Sequence, residues 1–130
     1  MRLDHISIIA LLILIIIYLS GCGTSYAETG LASFYGREEC RKNPYKGCPT
    51  ASGKSLYDLE AEGRMFAAKW DTPFGSIWKV THKDRSVFVE ILDRGPSRDL
   101  NRVIDLSKLA FKQLADLDAG LIEVTLRRVR

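Results

Sequence analysis

The sequence is poor in the side chains that hold metal ions. It has three cysteines and two histidines in 130 residues. Cys40 and Cys48 lack a third and fourth ligand, because His5 belongs to an N-terminal leader and His82 to a turn sequence. That argues against a structural zinc site, and no metal or other cofactor is expected. Internal repeats and low-complexity segments are also missing, so a solenoid or a disordered chain is excluded. Charge of one sign is scarce. The net charge is +3, and the basic residues are dispersed except for "RRVR" at the C-terminus. The chain also lacks a phosphate-binding loop, although "GCPTASGKS" (Gly47 to Ser55) ends in Gly-Lys-Ser. A loop of that kind needs a glycine at position 48, which is Cys48, and a buried strand before it. The preceding "REECRKNPYKG" is polar and has no strand pattern, so a nucleotide is not an expected partner.

The one long apolar run, "ISIIALLILIIIYL" (Ile6 to Leu19), carries no charge. It is shorter than the roughly 20 residues of a bilayer-spanning helix and suits the h-region of an export signal. Two processing sites follow it. "LSGC" (Leu19 to Cys22) has the pattern of a bacterial lipobox, in which cleavage before Cys22 leaves a lipidated cysteine. "SYA" (Ser25 to Ala27) fits cleavage by an ordinary signal peptidase. The lipobox is the preferred reading. It divides the chain into a removed leader (1–21), a lipidated linker (22–29) and a folded domain (30–130). Gly23 rather than Asp follows Cys22, which in lipoproteins of double-membraned bacteria points to the outer membrane, facing the periplasm. Export leaves Cys40 and Cys48 as a pair in an oxidising compartment, where a disulfide is expected. Export also argues against nucleic acid as a partner. The slight basic excess then suits anionic wall polymer or lipid head groups.

The domain reads as mainly β. "GLASFYG" alternates and is a first strand; "RMFAAKW" is ambiguous; "DTPFG" is a turn; "SIWKVTH" is a strand with "KDR" as its turn. "SVFVEIL" places Val87, Val89 and Ile91 on one face and Phe88, Glu90 and Leu92 on the other. Apolar character on both faces suggests a barrel or sandwich strand. "RVI" is a short strand. "DLSKLAFKQLADL" is the only convincing helix, with Asp105 or Ser107 as its N-cap, and "LIEVTLRRV" alternates as the last strand. The pattern predicts a small, mainly β barrel of about 100 residues but not its topology.

Five stretches taken together in order and spacing carry a resemblance: "GLASFYG", "TASGKSLYD", "AAKWDTPFGSIWKVT", "VEILDRGP" and "RVIDLSKLAF". The chain resembles the rare lipoprotein A (RlpA) family, related in fold to expansins. The resemblance implies a six-stranded double-psi β-barrel from about Gly30 to Val129. It also implies an endolytic lytic transglycosylase that cuts peptide-poor peptidoglycan strands to 1,6-anhydro ends, acting as a monomer and anchored to the membrane by lipid. Such cleavage needs one carboxyl group that protonates the departing oxygen and then accepts the C6 hydroxyl proton. Asp93, in the "DRGP" turn, is the candidate.

Many relatives carry Glu after "TA-small-Gly" and His after the "AA" pair, where this chain has Lys54 and Lys69. Three readings follow. Asp93 acts alone, or a nearby carboxylate (Asp58, Glu60 or Glu62) substitutes, or the protein is a non-catalytic polysaccharide-binding or wall-loosening module. Lys54 and Lys69 are either solvated, or hydrogen-bond donors to sugar, or partners of a charged Asp93. Tyr35, Trp70 and Arg94 complete the expected substrate-binding set. Asp105 is expected to cap the helix or to pair with Arg94 or Arg102.

Overall fold

A computed structural model describes residues 4–19, 26–42 and 47–130. Six strands close into a barrel: β1 (Glu28–Tyr35), β2 (Phe66–Ala68), β3 (Ile77–His82), β4 (Arg85–Asp93), β5 (Ile104–Ser107) and β6 (Ile122–Arg128). They neighbour one another in the order β1-β5-β2-β4-β3-β6. The pairs β1/β5 and β2/β4 are parallel, and the other four are antiparallel. This is the mainly β, six-stranded barrel that the sequence and its resemblance predicted. Closure leaves no free sheet edge in a barrel this small.

The alternation in the sequence is what fills the barrel. Val87, Val89 and Ile91 of β4 are buried together with Val80, Ile104, Leu106 and Leu126. Helix α3 (Lys108–Leu114) closes one side through Ala110, Phe111 and Leu114, with Phe34 packed on Phe111 at 4.8 Å. A second cluster lies outside the barrel wall. Leu92, Phe66, Leu56, Leu59 and the Cys40–Cys48 disulfide bury one another there, with Tyr35 against them. The two apolar faces of β4 are thus explained in part: Leu92 is buried on the second face, whereas Phe88 is 55% exposed.

The helical assignments differ from the sequence reading in three ways. Helix α1 (His5–Leu19) spans the apolar run, and among the described residues no helix is long and apolar enough to cross a membrane. Residues Leu56–Ala61 form a short helix, α2, capped by the Ser55 hydroxyl. Six residues are too few for a helical period to show in sequence. Asp105, expected as one of two possible caps of α3, lies within β5, and Ser107 is the cap, accepting from Ala110 N. Strand β5 continues through "DLS" because Leu106 is needed in the core, opposite Ala67. Strand β1 begins at Glu28, inside the stretch read as linker, and pairs there with Leu126.

Candidate active site

The site forms where β4 ends beside β2. The ladder between them slips by one residue, pairing Ala67 with Ile91 but Ala68 with Asp93. Leu92 is the extra residue, and it turns into the second cluster. A bulge of this kind re-aims the side chain that follows it. Ala68 also pairs with Asp105 of β5. Asp93, Ala68 and Asp105 therefore lie in one row across three strands, with the alanine methyl as the floor between two carboxylates. Beyond Asp93 the chain turns at Gly95, whose φ of 150° favours glycine.

Three donors hold the Asp93 carboxylate. Oδ1 accepts from Ala51 N at 2.8 Å and from Arg94 N at 2.9 Å; Oδ2 accepts from the Tyr35 hydroxyl at 2.9 Å. The first donor explains the "TASGK" stretch. Thr50 N and the Thr50 hydroxyl both donate to the Lys54 carbonyl, Gly53 N donates back to Thr50, and Ser52 N donates to the Leu92 carbonyl. The turn is thereby laid across the end of β4 with the Ala51 amide facing Asp93. The disulfide and the Pro49–Ser55 bridge close the base of this turn.

Tyr35 reaches the site through packing. Its ring meets Phe66 edge-on at 5.9 Å. Burial first, and then the neighbouring Asp93 charge, push its phenol well above the ordinary value of 10.0. Tyr35 therefore stays protonated and remains a donor to Asp93 throughout the working pH range.

Two cavities meet at Pro96 and Arg102. The first, about 340 Å³, holds Asp93, Tyr35, Arg94, Ala68, Asp105 and Glu39. The second, about 510 Å³, holds Glu28, Lys69, Trp70, Trp78 and Arg98.

The lysines separate. Lys69 is buried rather than solvated: its ammonium pairs with Glu28 at 2.8 Å and lies 5.0 Å from the Trp78 ring centre. Only its backbone engages the Asp93 turn, through Lys69 N to the Asp93 carbonyl and Arg94 Nη1 to the Lys69 carbonyl. Lys54 has an exposed side chain and makes no ion pair among the described residues; its carbonyl is what builds the turn.

The remaining residues are placed as follows. The Arg94 guanidinium stacks on Phe74 at 3.8 Å. Trp70 donates from Nε1 to the Pro96 carbonyl at 2.6 Å and carries the Arg98 guanidinium on its face at 4.4 Å. Asp105 is gripped at both oxygens by Arg102, at 2.9 and 3.1 Å. The carboxylates suggested as substitutes do not line the Asp93 cavity. Asp58 and Glu62 are exposed at α2, and Glu60 accepts from Arg37 N in a separate cavity of about 460 Å³. Glu39 and Asp105 line the Asp93 cavity instead. Sequence reasoning missed Glu28, Glu39 and Arg98 as site residues, since they arrive from a strand start, a short 3-10 helix (Arg37–Lys42) and a turn with no motif of their own. Cys22 lies outside the described residues.

Comparison with known proteins agrees with this architecture. A family model described as "Lytic transglycolase" matches residues 27–126. The chain is 36% identical over 112 residues to the probable endolytic peptidoglycan transglycosylase RlpA of Treponema pallidum, covering 85% of this chain and 32% of that one. It is 42% identical over 97 residues to the probable RlpA of Nostoc sp., covering 73% and 24%. The chain thus spans about a third or less of the length of these relatives. Among solved structures, the barrel resembles a Clavibacter michiganensis expansin mutant in complex with cellohexaose. That match has a TM-score of 0.61 and 20% identity, over 81% of this chain and 51% of the expansin, and shows the shared fold. The Streptomyces papain inhibitor matches with a TM-score of 0.60 and 29% identity, over 81% and 96%.

Proposed function

Because the chain belongs to the lytic transglycolase family of RlpA-type double-psi β-barrels, we propose that it cuts peptidoglycan glycan strands endolytically, with Asp93 as acid and base. The observation that carries this reading is the Asp93 carboxylate, fixed by three donors at the mouth of a groove. Protonated Asp93 gives its proton to the glycosidic oxygen as the C1–O bond breaks. The C6 hydroxyl closes onto C1 and returns its proton to Asp93, leaving a 1,6-anhydro end. No attacking water is needed, so one carboxyl suffices where ordinary glycoside hydrolysis uses two. Tyr35 donates to the carboxylate formed in the first step, and that carboxylate takes the C6 proton in the second.

Lys54 and Lys69, standing where many relatives have Glu and His, support a second reading as a glycan-binding module. Digestion of amidase-treated, peptide-free sacculi separates the two. New anhydro ends from the wild-type protein and none from Asp93→Asn are expected of the enzyme. Binding without new ends overturns it.

The anchor belongs to the same proposal. Leader cleavage before Cys22, lipidation there and outer-membrane delivery would hold a monomeric domain against the wall from the periplasmic side. Cys22→Ala is expected to abolish lipid labelling, and continued labelling would leave the "SYA" site as the cleavage point.

A further inference from the structure

Arg98 differs from the other cations of the groove. Among the described residues three cations line the second cavity: Lys69, Arg98 and Arg102. Lys69 is committed to Glu28 at 2.8 Å, and Arg102 grips Asp105 with two hydrogen bonds. Arg98 has only a long contact, 3.9 Å, from one Nη to the exposed Asp71. Its guanidinium lies 4.4 Å from the centre of the Trp70 ring, and Trp70 is itself pinned by its hydrogen bond to the Pro96 carbonyl. An arginine stacked on an aromatic ring is pre-oriented, and its remaining N–H groups point outward in a fork that fits a carboxylate. Pro96 and Arg102 are shared with the Asp93 cavity, so this fork sits next to the reacting centre. The first cavity sets Asp93, Glu39 and Asp105 against Arg94 and Arg102, whereas the second holds Arg98 as its one cation without a close partner among the described residues.

Taking the glycan-cleaving reading as its basis, we infer that Arg98, shelved on Trp70, reads the free lactyl carboxylate of an N-acetylmuramic acid residue from which the peptide has been removed. A muramic acid that keeps its peptide has an amide there, with no charge. A strand crossing the groove is thereby given a charged anchor beside Asp93. Selection of peptide-free strands becomes a property of one exposed arginine. Trp70 then acts as the platform for the arginine, and its occupied face does not stack on sugar.

Equilibrium binding tests this without requiring turnover. The full-length protein is titrated in the cold with peptide-free glycan strands and with the same strands after conversion of the lactyl carboxylates to methylamides. Wild type is expected to prefer the free carboxylate by about threefold to tenfold, the range for a forked but exposed pair. Added salt should shrink the preference. Arg98→Gln should bring the ratio to one, Arg98→Lys should keep part of it, and Asp71→Asn should raise it by removing the competing carboxylate. An unchanged ratio in Arg98→Gln, a lowered ratio in Asp71→Asn, or no binding by wild type would overturn the inference. The enzymatic reading fails separately, if strands are bound with the expected ratio but no anhydro ends form.

Discussion

The two halves of the groove use charge in opposite ways. On the Asp93 side a carboxylate is held by neutral donors, the Tyr35 hydroxyl and the amides of Ala51 and Arg94. Among the described residues no cation pairs with it, and it lines the cavity. On the Lys69 side an ammonium is buried and fully answered, by Glu28 and the face of Trp78. The first arrangement leaves a carboxylate lining the cavity. The second joins the start of β1 to the end of β2. The halves meet in one backbone link, Lys69 N to the Asp93 carbonyl. A position that many relatives fill with histidine has here become part of the scaffold.

That contrast can be broken from either side. Asp93→Asn should remove the chemistry and little stability: anhydro-end formation is expected to fall by about 10²–10⁴-fold, the usual worth of a positioned acid or base. Its thermal midpoint should stay near wild type in calorimetry. Removing the staple with Cys40→Ala/Cys48→Ala should cost about 2–3 kcal/mol by the loop-closure argument, read from urea unfolding. It should also lower turnover, because the Ala51 amide hangs from the loop that the disulfide closes. Glu28→Gln leaves the Lys69 charge without its partner. Glu28 is partly exposed, so the penalty is expected near 1–2 kcal/mol rather than the full cost of an unpaired buried charge. Turnover at saturating substrate should change little. If kcat falls instead, Lys69 belongs to the chemistry after all. Tyr35→Phe should cost about 1 kcal/mol or less in stability and roughly tenfold in kcat, because Asp93 loses a donor.

The smallest effect is expected far from the groove. Glu38 is exposed, and its hydrogen bond with Lys108 at 2.5 Å is what holds its carboxyl below the ordinary 4.5. A depressed folded value means that its contribution is fully present above about pH 4.5 and fades as pH falls through the lower folded value. Glu38→Gln should therefore lower stability by less than about 0.5 kcal/mol at pH 7 and by nothing measurable at pH 3.

Much of this was legible in the chain. The alternation of "SVFVEIL" and "LIEVTLRRV" marks core strands because inward residues must be apolar at every second position, and Val87, Val89, Ile91, Val124 and Leu126 are all buried. "DRGP" marks a sharp strand end, and the expectation of export made Cys40 and Cys48 a candidate disulfide, which the structure contains. These signals are local, so spacing carries them. The α3 boundary stayed open between Asp105 and Ser107 because "DLS" has a capping pattern at two positions, and only the pairing of Leu106 with Ala67 decides that the strand runs on to Ser107.

By itself the sequence determined that a small β barrel follows an apolar run and that Asp93 ends a buried strand at a tight turn. What only the tertiary structure decided is which group each polar side chain answers. Tyr35 and Asp93 are 58 residues apart, and a hydroxyl reaches a carboxylate over that distance only once the barrel has closed. Lys69 and Lys54 look alike in sequence, yet one is buried on Glu28 and the other stands in solvent. Charge is short-ranged in water and strong where water is excluded, so the fold, by choosing what to bury, assigned the two lysines their different roles.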